Sequence, residues 1–173
     1  MTPDDRRNGI LKALEETETP LSATKLARQF GVSRQIIVGD VALLRASEIK
    51  IFATPRGYVL NRDSGSQKHT IACRHESLSL LQKELYLVVD NGCGLIDVIV
   101  DHDLYGQIIG QLHIFSRHDA DEFLSRLNKT HSVPLSALTG GVHLHTLSCP
   151  DEASFGRVLK ELKKAGILFE ENL

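Results

Sequence analysis

The chain has 173 residues, of which 42% are hydrophobic and 24% charged, and its formal net charge is −2. That composition is ordinary for a soluble globular protein with one good-sized domain or two small ones. It excludes a membrane-spanning helix, because no run of about 18 apolar residues occurs, and the mixed-charge start "MTPDDRRNGILKALEE" lacks the apolar core of a secretory signal.

The small net charge hides an asymmetry. Residues 1–62 carry ten Lys and Arg against seven Asp and Glu, whereas residues 63–173 carry ten against fifteen and hold all eight histidines. Such a split predicts two jobs, although a basic excess this small is a weak nucleic-acid footprint. The three cysteines, Cys73, Cys93 and Cys149, are odd in number and show no CxxC spacing. They argue against a disulfide framework and fit a reducing, cytoplasmic setting.

In chain order, "DDRRNGILKALEE" predicts a first helix that begins near Asp4 or Asp5 and places Ile10, Leu11 and Leu14 on one face. A second follows in "LSATKLARQFG", with Ser22 as N-cap, Leu26, Ala27 and Phe30 at helical spacing, and Gly31 ending it in a left-handed turn. "VSRQIIVGDVALLRAS" is the third, capped by Ser33 and burying Ile37, Val41 and Leu44. Gly39 inside it costs roughly 1 kcal/mol against alanine. "IKIFATPRGYVL" predicts two strands, 49–53 and 58–60, around a turn with Pro55 and Gly57. The polar "NRDSGSQKHT" reads as a boundary, so the expected organisation is a front domain at 1–62, a linker at 63–70 and a rear domain at 71–173.

The rear domain alternates strands and helices. "HTIACRH" reads as a strand and "SLSLLQKELYLVVDNG" as a helix, and "LIDVIVDH" and "GQIIGQLHIF" as paired strands. "RHDADEFLSRLNK" follows as a helix. "PLSALTGGVHLHTLSC" gives two short strands about Gly140-Gly141, "PDEASFGRVLKELKKAG" a last helix, and "ILFEE" a last strand. The expected class is α+β, an antiparallel sheet layered with helices behind a three-helix front end.

Two constellations suggest chemistry. "FGVS" joins two helices as a helix-turn-helix joins them. The second helix would project Ser33, Arg34 and Gln35 into a major groove, with Arg34 on guanine or phosphate, Gln35 on adenine and Ser33 on phosphate. Lys25 and Arg28 would hold the backbone, and Arg56 at the hairpin tip would enter an adjacent groove. In the rear, His143 and His145 alternate with Leu144 on a strand and so share a face. With His75 and Glu84 they form a set of three imidazoles and one carboxylate that suits Zn²⁺, Ni²⁺ or Fe²⁺. A His-x-His strand is more often a polar face or a hydrogen-bonded pair. His102, His113, His118 and His131 remain further candidates, and Cys73 is either a ligand or a small core residue.

"LSATKLARQFGVSRQIIVGDVALLR" followed by "TPRGYVL" resembles the winged helix-turn-helix of biotin-repressor-type bacterial regulators over roughly residues 5–60. That family usually carries a basic or polar residue where Gly39 stands and glycine where Glu48 stands. "CRHE…KEL", "IDVIVDHDLYG" and "LTGGVHLHT…PDE" resemble the three-histidine (3H) domain. In bacteria that domain follows this type of winged helix in niacin-responsive repressors of NAD biosynthesis and niacin uptake.

The resemblance implies an HPr-like antiparallel α/β rear domain and a divalent ion held at positions matching His75, Glu84, His143 and His145. It also implies a cytoplasmic homodimer that binds double-stranded operator DNA with nicotinic acid, or a related pyridine, as co-repressor. The interval from His75 to Glu84 is one residue longer than in the family. Lys83 cannot supply a carboxylate, so Glu84 is the expected ligand and Glu76 the reserve. His102 and Tyr105 are candidates for contacts to the effector.

A metal-responsive repressor, with the ion itself as the signal, is the alternative. An enzyme with Glu84 or Asp101 as base is not expected, since the chain shows no nucleophile elbow, phosphate-binding glycine loop or HExxH. A pure adaptor would leave the His-x-His pair unexplained.

Overall fold

The computed structural model describes residues 1–61 and 65–170 and divides the chain into two compact units, Met1–Asp63 and Ser64–Leu173. The first has helices α1 (Pro3–Glu15), α2 (Ala23–Phe30) and α3 (Arg34–Ala46), then the antiparallel hairpin β1 (Ile51–Thr54) and β2 (Gly57–Leu60). Each helix starts where a side chain can satisfy an orphan backbone N–H. Ser22 and Ser33 cap α2 and α3. For α1 the cap is Thr2, two residues ahead of Asp4, and both acidic residues fall in the first turn. Thr2 and Asp5 form a reciprocal capping box.

Ile10, Leu14, Leu26, Ile37, Val41, Leu44 and Ile51 make the buried core of this unit. Asp40, 4% exposed on α3, accepts hydrogen bonds from Arg6 Nε at 2.6 Å and Nη2 at 3.2 Å, which ties α3 to α1. Leu21 and Tyr58 exchange backbone hydrogen bonds at 3.0 and 2.8 Å. Gly57 makes that approach possible: at φ +141° a Cβ there would lie 2.4 Å from the Leu21 carbonyl carbon.

Past the end of α3, Glu48 adopts φ 65°, a left-handed conformation that glycine takes without strain. Glu48→Gly is therefore expected to stabilise this unit by about 0.5–1 kcal/mol, the relief of strain exceeding the added freedom of the unfolded chain. Urea unfolding of the two proteins measures the difference.

The second unit contains β3 (Gln67–Arg74), α4 (Leu78–Asp90), β4 (Gly94–His102), β5 (Gly106–Ile114), α5 (Arg117–Lys129), β6 (Val142–Cys149) and α6 (Glu152–Lys164). The strands form one antiparallel sheet in the order β3-β6-β4-β5. On β6 the alternate residues His143, His145, Leu147 and Cys149 are buried, while those between are half-buried, as a sheet packed on one face requires. That face meets Leu81, Leu85 and Val88 of α4, Ala120 of α5, and Val158 and Leu162 of α6. The result is the α+β layering expected. Among the described residues no helix is long and apolar enough to cross a membrane.

Four expectations need correction. Leu135–Thr139 is a short 3-10 helix rather than a strand. Its i, i+3 leucines suit a helical turn, and Gly140 and Gly141, at φ 61° and 92°, reverse the chain into β6. Gln67–Thr70, read as linker, pairs with β6 as the start of β3, and its polar residues suit an exposed sheet edge. Residues 63 and 64 of that linker lie outside the described residues.

"ILFEE" forms a single bridge, Leu168 to Cys73, flanked by Arg74 N–H donating to Ile167 and Phe169 N–H to Ala72, each at 2.9 Å. Its Glu171 lies outside the described residues. Finally, Cys93 and Cys149 are joined as a disulfide with Cα atoms 4.4 Å apart. Pairing of Gly94 with Ser148 brings the start of β4 to the end of β6, an adjacency that spacing along the chain cannot reveal.

Candidate functional site

In the first unit the turn Gly31–Ser33 delivers α3 with Arg34 and Gln35 exposed in its first turn. Ser33 Oγ accepts from Ile36 N–H at 3.3 Å. Lys25 and Arg28 are exposed on α2, and Arg56 is half-buried at the hairpin turn. Arg45 is engaged elsewhere, donating from Nε to Ile51 O at 2.7 Å and so bracing the hairpin. Ile36, Val38 and Leu43 of α3 are also exposed, at 43%, 39% and 54%. Ile36 and Leu43, seven residues apart, share a side of the helix. Gly39 faces open space.

In the second unit Glu84 occupies an interior position of α4 between Leu81, Leu85 and Val88, and is completely buried. Three imidazoles converge on it. His75 Nε2 lies 2.6 Å from Oε2, and His143 Nε2 lies 3.3 and 3.4 Å from Oε1 and Oε2. His145 Nε2 lies 3.5 Å from Oε2. The four expected ligands are thus brought together, each at most 6% exposed. The reserve Glu76 is exposed, as is Lys83.

The ring orientations are set by backbone carbonyls. His143 Nδ1 lies 2.8 Å from Gly141 O, and His145 Nδ1 2.6 Å from Asp97 O. A carbonyl only accepts, so both Nδ1 atoms carry hydrogen and donate. In the neutral rings both Nε2 atoms then present lone pairs toward a carboxylate, which also only accepts. The His145 contact lacks hydrogen-bond geometry, and its Nε2 is buried without a hydrogen-bond partner.

Lone pairs aimed at an anion call for positive charge between them, as a proton or a cation. Imidazoles fixed through Nδ1 to backbone carbonyls are also how metal-binding histidines are commonly held. The donor set therefore fits a divalent ion.

Gly141, which sequence reading took only as part of a turn, organises this corner. Its carbonyl accepts from His143 Nδ1 and from His75 N–H at 3.2 Å. A Cβ there would fall 2.6 Å from His75 O. The Gly-Gly one residue ahead of His-x-His was the available signal. Asp97 was also missed: its carbonyl is turned to His145 at a bulge in β4, and its Oδ1 accepts from Thr146 N–H at 3.0 Å.

Electrostatics follow from burial. Desolvation alone would raise the Glu84 pKa, but the charge of His145 and the contacts of His143 and His75 outweigh it and hold the carboxyl well below its usual range. Desolvation opposes a charged His145, yet Glu84 and the Asp97 carbonyl hold its pKa above the ordinary histidine value. Cys73, opposite His143 in the strand register, also touches this cluster. Burial, then Glu84, pushes its thiol far up.

His102 and Tyr105 sit apart from the cluster at the β4–β5 turn. Tyr105 is 73% exposed, and His102 Nδ1 accepts from the N–H groups of Leu104 and Tyr105 at 3.2 and 3.4 Å. His102 is four residues beyond Val98, which pairs with His145. That places it about 13 Å along the strand from the cluster.

The family described as 3H domain matches residues 68–171, and an HTH domain matches residues 6–59. The probable transcription repressor NiaR of Thermotoga maritima is 41% identical over 167 residues, covering 96% of this chain and 95% of the relative. The transcription repressor NadR of Bacillus subtilis is 38% identical over 172 residues, covering 96% and 94%.

Proposed function

The chain belongs to the 3H-domain family, with an HTH domain ahead of it as in transcription repressors, and from that membership we propose a cytoplasmic, operator-binding repressor of NAD biosynthesis or niacin uptake genes. Nicotinic acid, or a related pyridine, is its co-repressor, sensed at a metal centre held by His75, Glu84, His143 and His145. The observation that carries this reading is the buried cluster itself. Two imidazoles of fixed tautomer face one carboxylate, and His145 Nε2 has no hydrogen-bond partner.

A divalent ion held there by these four side chains would supply Lewis acidity toward a pyridine nitrogen or a carboxylate. The chain's own residues define the rest. Gly141 O and Asp97 O keep the rings pointing inward. Leu81, Leu85 and Val88, which share the α4 face with Glu84, are themselves buried. His102 and Tyr105 would contact effector only if it extends toward the hairpin end. In front, Arg34 and Gln35 read base edges, Ser33 and Lys25 hold phosphates, and Arg56 at the hairpin turn enters an adjacent groove. A homodimer doubles this readout on a two-fold operator. Effector acts by favouring one dimer arrangement over another, since only differential affinity shifts an equilibrium.

Fluorescence anisotropy on operator DNA enriched from a random pool tests the reading in four conditions: metal-free, Zn²⁺, nicotinate, and both. Binding is expected to be tightest with both, by a factor of about 5–150 over Zn²⁺ alone. Full binding with Zn²⁺ alone, unchanged by nicotinate, would make the ion the signal and remove nicotinate from the account.

A further inference from the structure

We propose that Cys73 is a fifth protein ligand of this centre, coordinating the ion as a thiolate. The inference rests on the metal reading above and adds one protein donor to it. Cys73 is fully buried on β3 and stands directly opposite His143 of β6. Its Sγ, one Glu84 carboxylate oxygen and one His143 ring nitrogen all lie within 4.8 Å of one another. His145 Nε2, buried without a hydrogen-bond partner, lies 3.5 Å from Oε2 of the same Glu84.

Charge balance gives the thiolate a role. Three neutral imidazoles and one carboxylate leave a divalent ion with an uncancelled positive charge. The four donors are at most 6% exposed, and uncompensated charge is costly away from water. A thiolate cancels it. The S–H bond breaks, its proton leaves to solvent, and a sulfur-to-metal bond forms with no change of oxidation state. Among the described residues Glu84 is the carboxylate buried most completely, and the Cys73 sulfur lies beside it.

The full-length chain, kept reduced and loaded with Co²⁺, tests this. A near-ultraviolet thiolate-to-cobalt charge-transfer band is expected. It should disappear in Cys73→Ser and persist in a Cys93→Ser/Cys149→Ser variant, while the visible cobalt bands remain in all three. X-ray absorption of the unaltered Zn²⁺-loaded protein gives an answer that does not depend on how the variants fold. A sulfur shell at about 2.3 Å beside nitrogen and oxygen at about 2.0–2.1 Å supports the proposal. Stoichiometric metal with nitrogen and oxygen alone overturns it and leaves the His/Glu centre intact. Failure to retain any metal overturns both.

Discussion

Glu84→Gln is expected to abolish high-affinity metal uptake while leaving the metal-free protein folded. The amide keeps the shape of the carboxylate and offers N–H groups to His143 and His145, whose Nε2 atoms carry lone pairs once Nδ1 has donated to backbone. What is lost is the single negative charge at the meeting point of three imidazoles. Affinity should fall at least about 100-fold, beyond the loss typical of an outer-shell partner. At a metal concentration about 1,000 times the native Kd, the native protein gains about 4 kcal/mol of stability and the variant about 1.4. Thermal unfolding with and without Zn²⁺ reads this directly, and equal stabilisation of the two would remove Glu84 from the site.

The same cluster sets a pH dependence. Without metal, the raised pKa of His145 contributes stability below about pH 6.5 that is lost as pH rises through the folded value. The depressed pKa of Glu84 contributes stability above about pH 4.3 that is lost as pH falls through its own folded value. The metal-free fold is thus best supported in mild acid. Metal must displace the His145 proton, so the gap between loaded and metal-free protein should widen from about pH 5 to pH 8.

Arg34→Ala carries the second large effect, on the other unit. Arg34 is exposed in the first turn of α3, and no ion pair among the described residues engages it. Its guanidinium is therefore available to a guanine edge. Losing such a contact costs about 1–3 kcal/mol, or roughly 5- to 150-fold in operator affinity, and relaxes preference at one base pair. Metal uptake should be unchanged. Lys25→Ala, by contrast, should weaken binding to all sequences alike and lower the salt slope by about one. Unaltered operator affinity in Arg34→Ala would take this residue out of the readout.

The local signals that sequence could carry were those with a one-residue cause. Ser22, Ser33 and Gly31 cap α2 and α3 where expected because a cap depends only on its own turn. His143 and His145 share a face because strand alternation demands it, and Glu84 follows the apolar face of α4. Features that depend on register between distant strands stayed hidden. The Cys93–Cys149 pair needs β4 beside β6, and Cys73 reaches the cluster only because β3 pairs with β6 in one register. The Leu135–Thr139 turn was misread because its leucines fit a short strand as well as a 3-10 helix. The positive φ of Glu48 follows from how α3 ends, although the resemblance to a family with glycine there had marked the position.

The most direct test is an anomalous difference map from crystals of the full chain grown with Zn²⁺, collected at the zinc edge. The account predicts one strong peak in the second unit, about 2.0–2.2 Å from Nε2 of His75, His143 and His145 and from a Glu84 carboxylate oxygen. Zinc bound stoichiometrically in solution but peaking elsewhere, with His145 Nε2 still facing Glu84 directly, would contradict it.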